Sequence, residues 1–98
     1  MKKVGPSQIN LQVSFIKQGK SYIAYAPALD LSTSGKTLKE AQKRFEEAAD
    51  IFIEETVENN CLEKVLLELG WQKLKTKWEA PQILKQESLD FNVPLLAA

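Results

Sequence analysis

Ile9, Leu11, Val13 and Phe15 alternate with Gln8, Asn10, Gln12 and Ser14, a period of two that gives residues 8–15 the one apolar face of a strand. The polar stretch Lys17-Gln18-Gly19-Lys20 separates this run from Ser21-Tyr22-Ile23-Ala24-Tyr25-Ala26, whose aromatic and β-branched residues predict a partner strand and hence a hairpin. Pro27 stops that strand, residues 29–34 return as a third, and Gly35 marks its end. Thr37-Leu38-Lys39-Glu40 then reads as a capping box, with the Thr37 hydroxyl accepting from the Glu40 N–H and the Glu40 carboxylate reaching back to the Thr37 N–H.

Beyond that cap the period changes. Leu38, Ala41, Phe45, Ala48, Ala49, Phe52 and Ile53 recur at three- and four-residue spacing, so a helix runs to about residue 58 and lays one apolar stripe on the sheet. Asn59-Asn60 breaks it, and Asn60 with Glu63 is expected to cap a second helix whose Leu62, Val65, Leu66 and Leu69 face inward until Gly70. From Trp71 an extended segment is expected to place Trp71, Lys73, Lys75 and Lys77 on one face and Leu74 and Trp78 on the other, as a fourth strand closed by Pro81. Residues 82–88 read as a polar connector, and residues 89–96 as a last edge strand or a docking arm, because Pro94 lacks the donor a central strand needs. The predicted architecture is α+β: an antiparallel three-stranded sheet in the order β-β-β-α-α-β with one long amphipathic helix packed on it. Residues 1–80 form the domain, and residues 81–98 are its C-terminal connector with the edge strand or arm.

A chain of 98 residues builds one core. Thirteen basic and thirteen acidic side chains cancel, so no overall field draws the chain towards nucleic acid or an anionic membrane. The single Cys61 allows no internal disulfide, and neither a signal-peptide pattern nor a membrane-spanning apolar run occurs. The expected location is the cytoplasm, with no membrane partner.

The chemistry expected is sparse. The chain has no histidine, the commonest general base and metal ligand. Gly35-Lys36-Thr37 resembles the end of a phosphate-binding loop, but Asp30 stands where the earlier glycine belongs. Cys61 follows a helix cap, where a thiol pKa falls, yet a single cysteine without a base reads as a small apolar side chain. No catalytic residue, metal or cofactor is expected. Glu46, Glu47, Asp50, Glu54, Glu55 and Glu58 make the second half of the long helix acidic. They read as a solvated face or, at Glu47, Glu54, Glu55 and Glu58, as a surface for a basic partner. Lys73, Lys75 and Lys77 read either as guards of an edge strand or as a phosphate or partner contact. Trp71 and Trp78, seven residues apart on one strand, would point to opposite faces, so one belongs to the core and the other is a subunit contact or partly exposed. That arrangement points to a homo-oligomer, a dimer or a tetramer.

Three motifs carry a family resemblance: Tyr25-Ala26-Pro27-Ala28-Leu29, then Gly35-Lys36-Thr37-Leu38-Lys39-Glu40-Ala41, then Phe45-Glu46-Glu47-Ala48 with Phe52-Ile53-Glu54-Glu55. Across residues 9–58 the chain resembles the HicB-like antitoxin family, and Tyr25, Pro27, Gly35, Thr37, Glu40 and Ala41 are the structural positions of that motif. The resemblance implies a partial ribonuclease H-like fold and a non-catalytic protein that binds and neutralises a small RNA-cleaving toxin, HicA. Asp30-Leu31-Ser32 stands where many members have Pro-Gly-Cys, which alters the turn before the third strand. No helix-turn-helix or ribbon-helix-helix pattern comes after Gly70, so no direct DNA binding is expected. The alternative readings are an orphan oligomeric protein-interaction module without a toxin partner and, ranked behind it, a Mg²⁺-dependent ribonuclease H-like nuclease. The nuclease needs carboxylates gathered around two metals, whereas residues 8–34 contain only Asp30.

Overall fold

The computed structural model describes residues 8–95. Its elements are β1 (Ser14–Gln18), β2 (Ser21–Ala26), β3 (Leu31–Gly35), α1 (Leu38–Glu58), α2 (Leu62–Glu68), β4 (Gln72–Lys73) and β5 (Trp78–Glu79). The first three strands form one antiparallel sheet in the order β1-β2-β3, with Ile16 opposite Ile23 and Ala24 opposite Thr33. The fold is thus α+β, a three-stranded antiparallel sheet followed by a long and a short helix, as the periodicity predicts.

The first strand is shorter than its alternation suggests. Pairing begins at Ser14, opposite Tyr25, because β2 ends at Ala26 and offers residues 8–13 no ladder to continue on. Those residues keep the alternation without the pairing: Ile9, Leu11 and Val13 are half-buried while Gln8, Asn10 and Gln12 are exposed. The third strand likewise starts at Leu31 rather than Leu29. Residues 27–30 form a tight turn in which the Leu29 N–H donates to the Ala26 carbonyl at 3.2 Å and the Asp30 N–H to the Pro27 carbonyl at 3.0 Å. Asp30 adopts φ 52°, a left-handed conformation that aspartate tolerates better than most residues.

Two clusters make the core. In the first, Ala24 and Ala26 of β2 meet Ala41, Phe45 and Ala49 of α1; four alanines let helix and sheet approach closely, and Phe45 fills the space between them. In the second, Leu29, Leu66 and Trp71 are buried together with Ile9, Phe52, Leu62 and Trp78 against them. Leu11 and Leu31 touch both clusters and join them.

Both helices end in the same hydrogen-bond motif. For α1 the Cys61 N–H donates to the Thr56 carbonyl at 2.9 Å and the Asn60 N–H to the Val57 carbonyl at 3.1 Å, with Asn60 left-handed at φ 55°. Asn60 therefore closes α1 instead of capping α2 as expected; asparagine is one of the few residues that enters this conformation readily. The capping position of α2 falls to Cys61, which makes no side-chain cap bond. For α2 the Trp71 N–H reaches the Leu66 carbonyl at 2.9 Å and the Gly70 N–H reaches Leu67 at 3.1 Å, with Gly70 at φ 94°. Gly70 ends this helix as predicted.

The expected fourth strand is instead a small hairpin, β4 and β5, which forms a two-stranded sheet of its own. The chain reverses between Leu74, whose N–H donates to the Lys77 carbonyl at 2.8 Å, and Lys77. That reversal corrects the two tryptophans: Trp71 and Trp78 lie in one cluster, not on opposite faces. After Pro81 no helix or strand forms through residue 95, so the expected edge strand at 89–96 is absent from its described part and Leu96 lies outside the described residues. The ends of the expected segments 1–80 and 81–98, at residues 1–7 and 96–98, also lie outside. The radius of gyration is 17.5 Å and the extents are 66 × 28 × 22 Å, against roughly 13 Å for the radius of a compact chain of this length. Residues 81–95 form an exposed arm.

Candidate functional site

Four of the six motif residues meet at the junction of β3 and α1. A Cβ on Gly35 would lie 2.7 Å from the Ala41 backbone nitrogen and 3.0 Å from the Glu40 carbonyl carbon, so only glycine lets the end of β3 pass under the first turn of α1. Thr37 caps the helix in an extended conformation, its hydroxyl accepting from the Glu40 N–H at 3.0 Å. The reciprocal bond differs from the expected one: Glu40 Oε1 accepts from the Lys36 N–H at 2.6 Å, not from Thr37. Thr37 Oγ1 and the Glu40 carboxylate thus hold adjacent parts of the entering chain.

Arg44 completes the junction. Its Nη1 donates to the Ser34 carbonyl at 3.0 Å and its Nη2 lies 3.4 Å from Glu40 Oε2, while Thr33 Oγ1 donates to the Ala41 carbonyl at 3.0 Å. Neither Arg44 nor Thr33 was singled out by sequence reasoning. The i, i+4 spacing of Glu40 and Arg44 was a signal for one of them; the Thr33 bond crosses from strand to helix and had none.

The Lys36 N–H bond, with the Arg44 and Lys36 charges behind it, lowers the Glu40 pKa below the ordinary glutamate value. A carboxylate lowered in the folded state stabilises the fold above its unfolded pKa, about 4.3, and loses that contribution as pH falls through the lowered value. Glu40→Gln is therefore expected to flatten the loss of thermal stability between about pH 5 and pH 3 relative to the native chain. Melting curves with the same slope for both proteins would remove Glu40 from this role.

Tyr25 and Pro27 sit at the far end of β2. Tyr25 lies on the sheet face turned away from α1, with Ile16 and Ile23, and its hydroxyl donates to Asp30 Oδ1 at 3.4 Å. Pro27 opens the turn that Trp71 pins from below: the indole Nε1–H donates to the Ala28 carbonyl at 2.7 Å. Beside this turn lies a cleft of about 620 Å³ with the amides of Gln8, Asn10 and Gln12 on one wall and Pro27, Trp78 and Pro81 on the others.

The charged residues divide. Glu46, Glu47, Asp50, Glu54, Glu55 and Glu58 are all exposed along α1, and the last turn of the helix holds no basic residue. Among the described residues none of these six has an ion-pair partner; the pairs present are Arg44–Glu40, Lys73–Glu63 and Lys85–Glu87. Lys73, Lys75 and Lys77 do not share a strand face, because the reversal in the hairpin puts Lys75 and Lys77 in its loop. Lys73 pairs with Glu63 at 3.2 Å and lies 5.9 Å over the Trp78 ring, so it links α2 to the hairpin.

Cys61 is half-buried. Among the described residues no group of three or more His, Cys, Asp or Glu side chains is placed to hold a metal ion, and no helix is long and apolar enough to cross a membrane. Comparison with protein-family models, with curated proteins and with solved structures gave no match.

Proposed function

We propose that this chain is a HicB-like, antitoxin-type protein that works by binding, without catalysis of its own, and that its cytoplasmic partner is a small, basic, HicA-like RNA-cleaving toxin. The observation that carries the reading is the acidic outer face of α1. Carboxylates at the C-terminal end of a helix oppose its dipole, at roughly 0.3–1 kcal/mol each when exposed, and α1 places Glu54, Glu55 and Glu58 there without a basic residue in the last turn. A cationic partner removes that cost and is steered by the same field. The family motif adds support through Gly35, Thr37, Glu40 and Ala41, which share one junction and set the angle at which α1 leaves the sheet.

The test is co-expression with the small protein encoded beside it. Growth arrest by the neighbour alone, relieved by this chain, and a complex that survives purification are the expected results. Glu47→Lys, Glu54→Lys and Glu58→Lys together are expected to weaken the complex on the order of 100-fold and to reduce its salt dependence, since all three residues are exposed and outside the core. A harmless neighbour, or two proteins that do not co-purify, would end the toxin reading.

A further inference from the structure

The chain carries both halves of an interface that it does not close on itself. In the arm, Leu89, Phe91, Val93 and Leu95 are 63%, 79%, 81% and 99% exposed, and they alternate with Asp90, Asn92 and Pro94, the period-two pattern of a strand with one buried face. On the body, β1 pairs among the described residues only with β2, and none of them adds a strand to its other edge. That edge lacks the usual protection: Ser14-Phe15-Ile16-Lys17-Gln18 contains one lysine and no proline. Phe15, on the α1 side of β1, is 43% exposed and lines a groove of about 430 Å³ with Leu11, Val13, Phe45 and Ala49, rimmed by Glu46 and Asp50.

A strand added to the β1 edge would extend the sheet over the flank of α1 and put alternate side chains into this groove. We infer that the arm of one chain, residues 89–95, adds as a strand to β1 of a second copy of this chain, with Phe91 and Val93 seated beside Phe15 and Phe45. Seven residues in a strand span about 23 Å, enough to run the length of β1. Polar Asp90 and Asn92 then face solvent, and Pro94 falls near the end of a new edge strand, where its missing donor is tolerated.

A second copy fits better than the chain's own edge. The root of the arm, residues 83–86, lies beside residues 12–14 across an open gap, yet the arm beyond it stays uncovered, with Leu84 88% and Leu95 99% exposed. Within one chain the arm is not seated on that edge: none of Leu89, Phe91, Val93 and Leu95 lines the groove beside Phe15. In a two-fold pair each arm covers the other's edge and the assembly closes. Phe91 alone covers roughly 150–250 Å² when buried, so two arms with their aliphatic neighbours, and the surface beneath them, exceed the roughly 1,000 Å² a specific interface needs.

The experiment is light scattering of the full chain over a range of concentrations, alone and as Phe91→Ser/Val93→Ser. The expected result is twice the chain mass for the native protein and a dissociation constant raised on the order of 100-fold or more in the variant, with an unchanged circular dichroism spectrum because both residues lie off the core. In a Cys61→Ser background, Phe15→Cys chains mixed with Phe91→Cys chains are expected to crosslink to each other on oxidation. A monomer at every concentration overturns the inference, as does a dimer that the arm substitutions leave unchanged. A disulfide that forms only when both cysteines occupy one chain overturns it too, by placing the arm on its own edge. The inference goes beyond the toxin reading and stands apart from it, since mass and crosslinking are read without any toxin.

Discussion

Trp71→Ala is expected to remove about 3–5 kcal/mol of stability, a large part of the roughly 5–15 kcal/mol that holds a domain of this kind folded. Trp71 is 2% exposed and sits in one cluster with Leu29 and Leu66. Its backbone N–H closes α2 on the Leu66 carbonyl, and its indole N–H reaches the Ala28 carbonyl, 43 residues away in sequence. Truncation leaves a cavity and an unpaired carbonyl together, and the turn at Pro27 loses its side-chain tether to the end of α2. Urea denaturation monitored by circular dichroism is expected to show a midpoint lowered by roughly 2 M with an unchanged slope. Trp71→Phe separates the two contributions, because it keeps most of the apolar volume and loses the donor; it is expected to cost about 1–3 kcal/mol. A Trp71→Ala midpoint within error of the native one would show that the second cluster is not structural.

Gly35→Ala is expected to destabilise by about 1–3 kcal/mol, the opposite sign to the gain of about 0.4–1 kcal/mol that alanine gives where glycine's freedom is not used. The reason is space. The new methyl meets the backbone of Ala41 and Glu40 at 2.7–3.0 Å, and backbone in the first turn of a helix cannot rotate away as a side-chain end can. The strand end and α1 must separate, which strains the Glu40 bond to Lys36 and the Arg44 bond to Ser34 at the same time. The measurement is the same denaturation series, and a Gly35→Ala protein as stable as the native one would show that the junction yields. Helix content is expected to stay near native, since the substitution disturbs how α1 docks and not whether it forms.

The elements whose signals are local were legible from the residues in order. The Ser21–Ala26 strand, the Thr37 cap, the length of α1 and its stop at Asn59-Asn60, and the Gly70 end of α2 each arise from a period or a cap within a few residues. Capping and periodicity act over one turn, so their cause lies within the window that a sequence displays. The motif residues were legible as a group, and the meeting of Gly35, Thr37, Glu40 and Ala41 at one junction is a consequence of strand and helix being consecutive.

Where partners are distant, the residues alone were insufficient. Residues 8–13 carry a strand's alternation, but pairing depends on where β2 stops, and Pro27 ends it one residue past the Ser14–Tyr25 pair. Trp71 and Trp78 were placed on opposite faces because residues 74–77, Leu-Lys-Thr-Lys, contain no glycine or proline to announce a reversal. The same reversal separated three lysines that spacing had put together. Asn60 looked like an opening cap and is a closing one, since the same side chain suits either end and only the backbone distinguishes them. Sequence by itself thus determined the Ser21–Ala26 strand, the Thr37 cap, the extent of α1, the Gly70 stop and the α+β class, because those are set by interactions between near neighbours. Tertiary structure alone decided that the last segment pairs with itself as a hairpin and that both tryptophans share one cluster. It also decided that the arm leaves the body with its apolar face uncovered, because burial belongs to the whole chain's packing and not to any window of it.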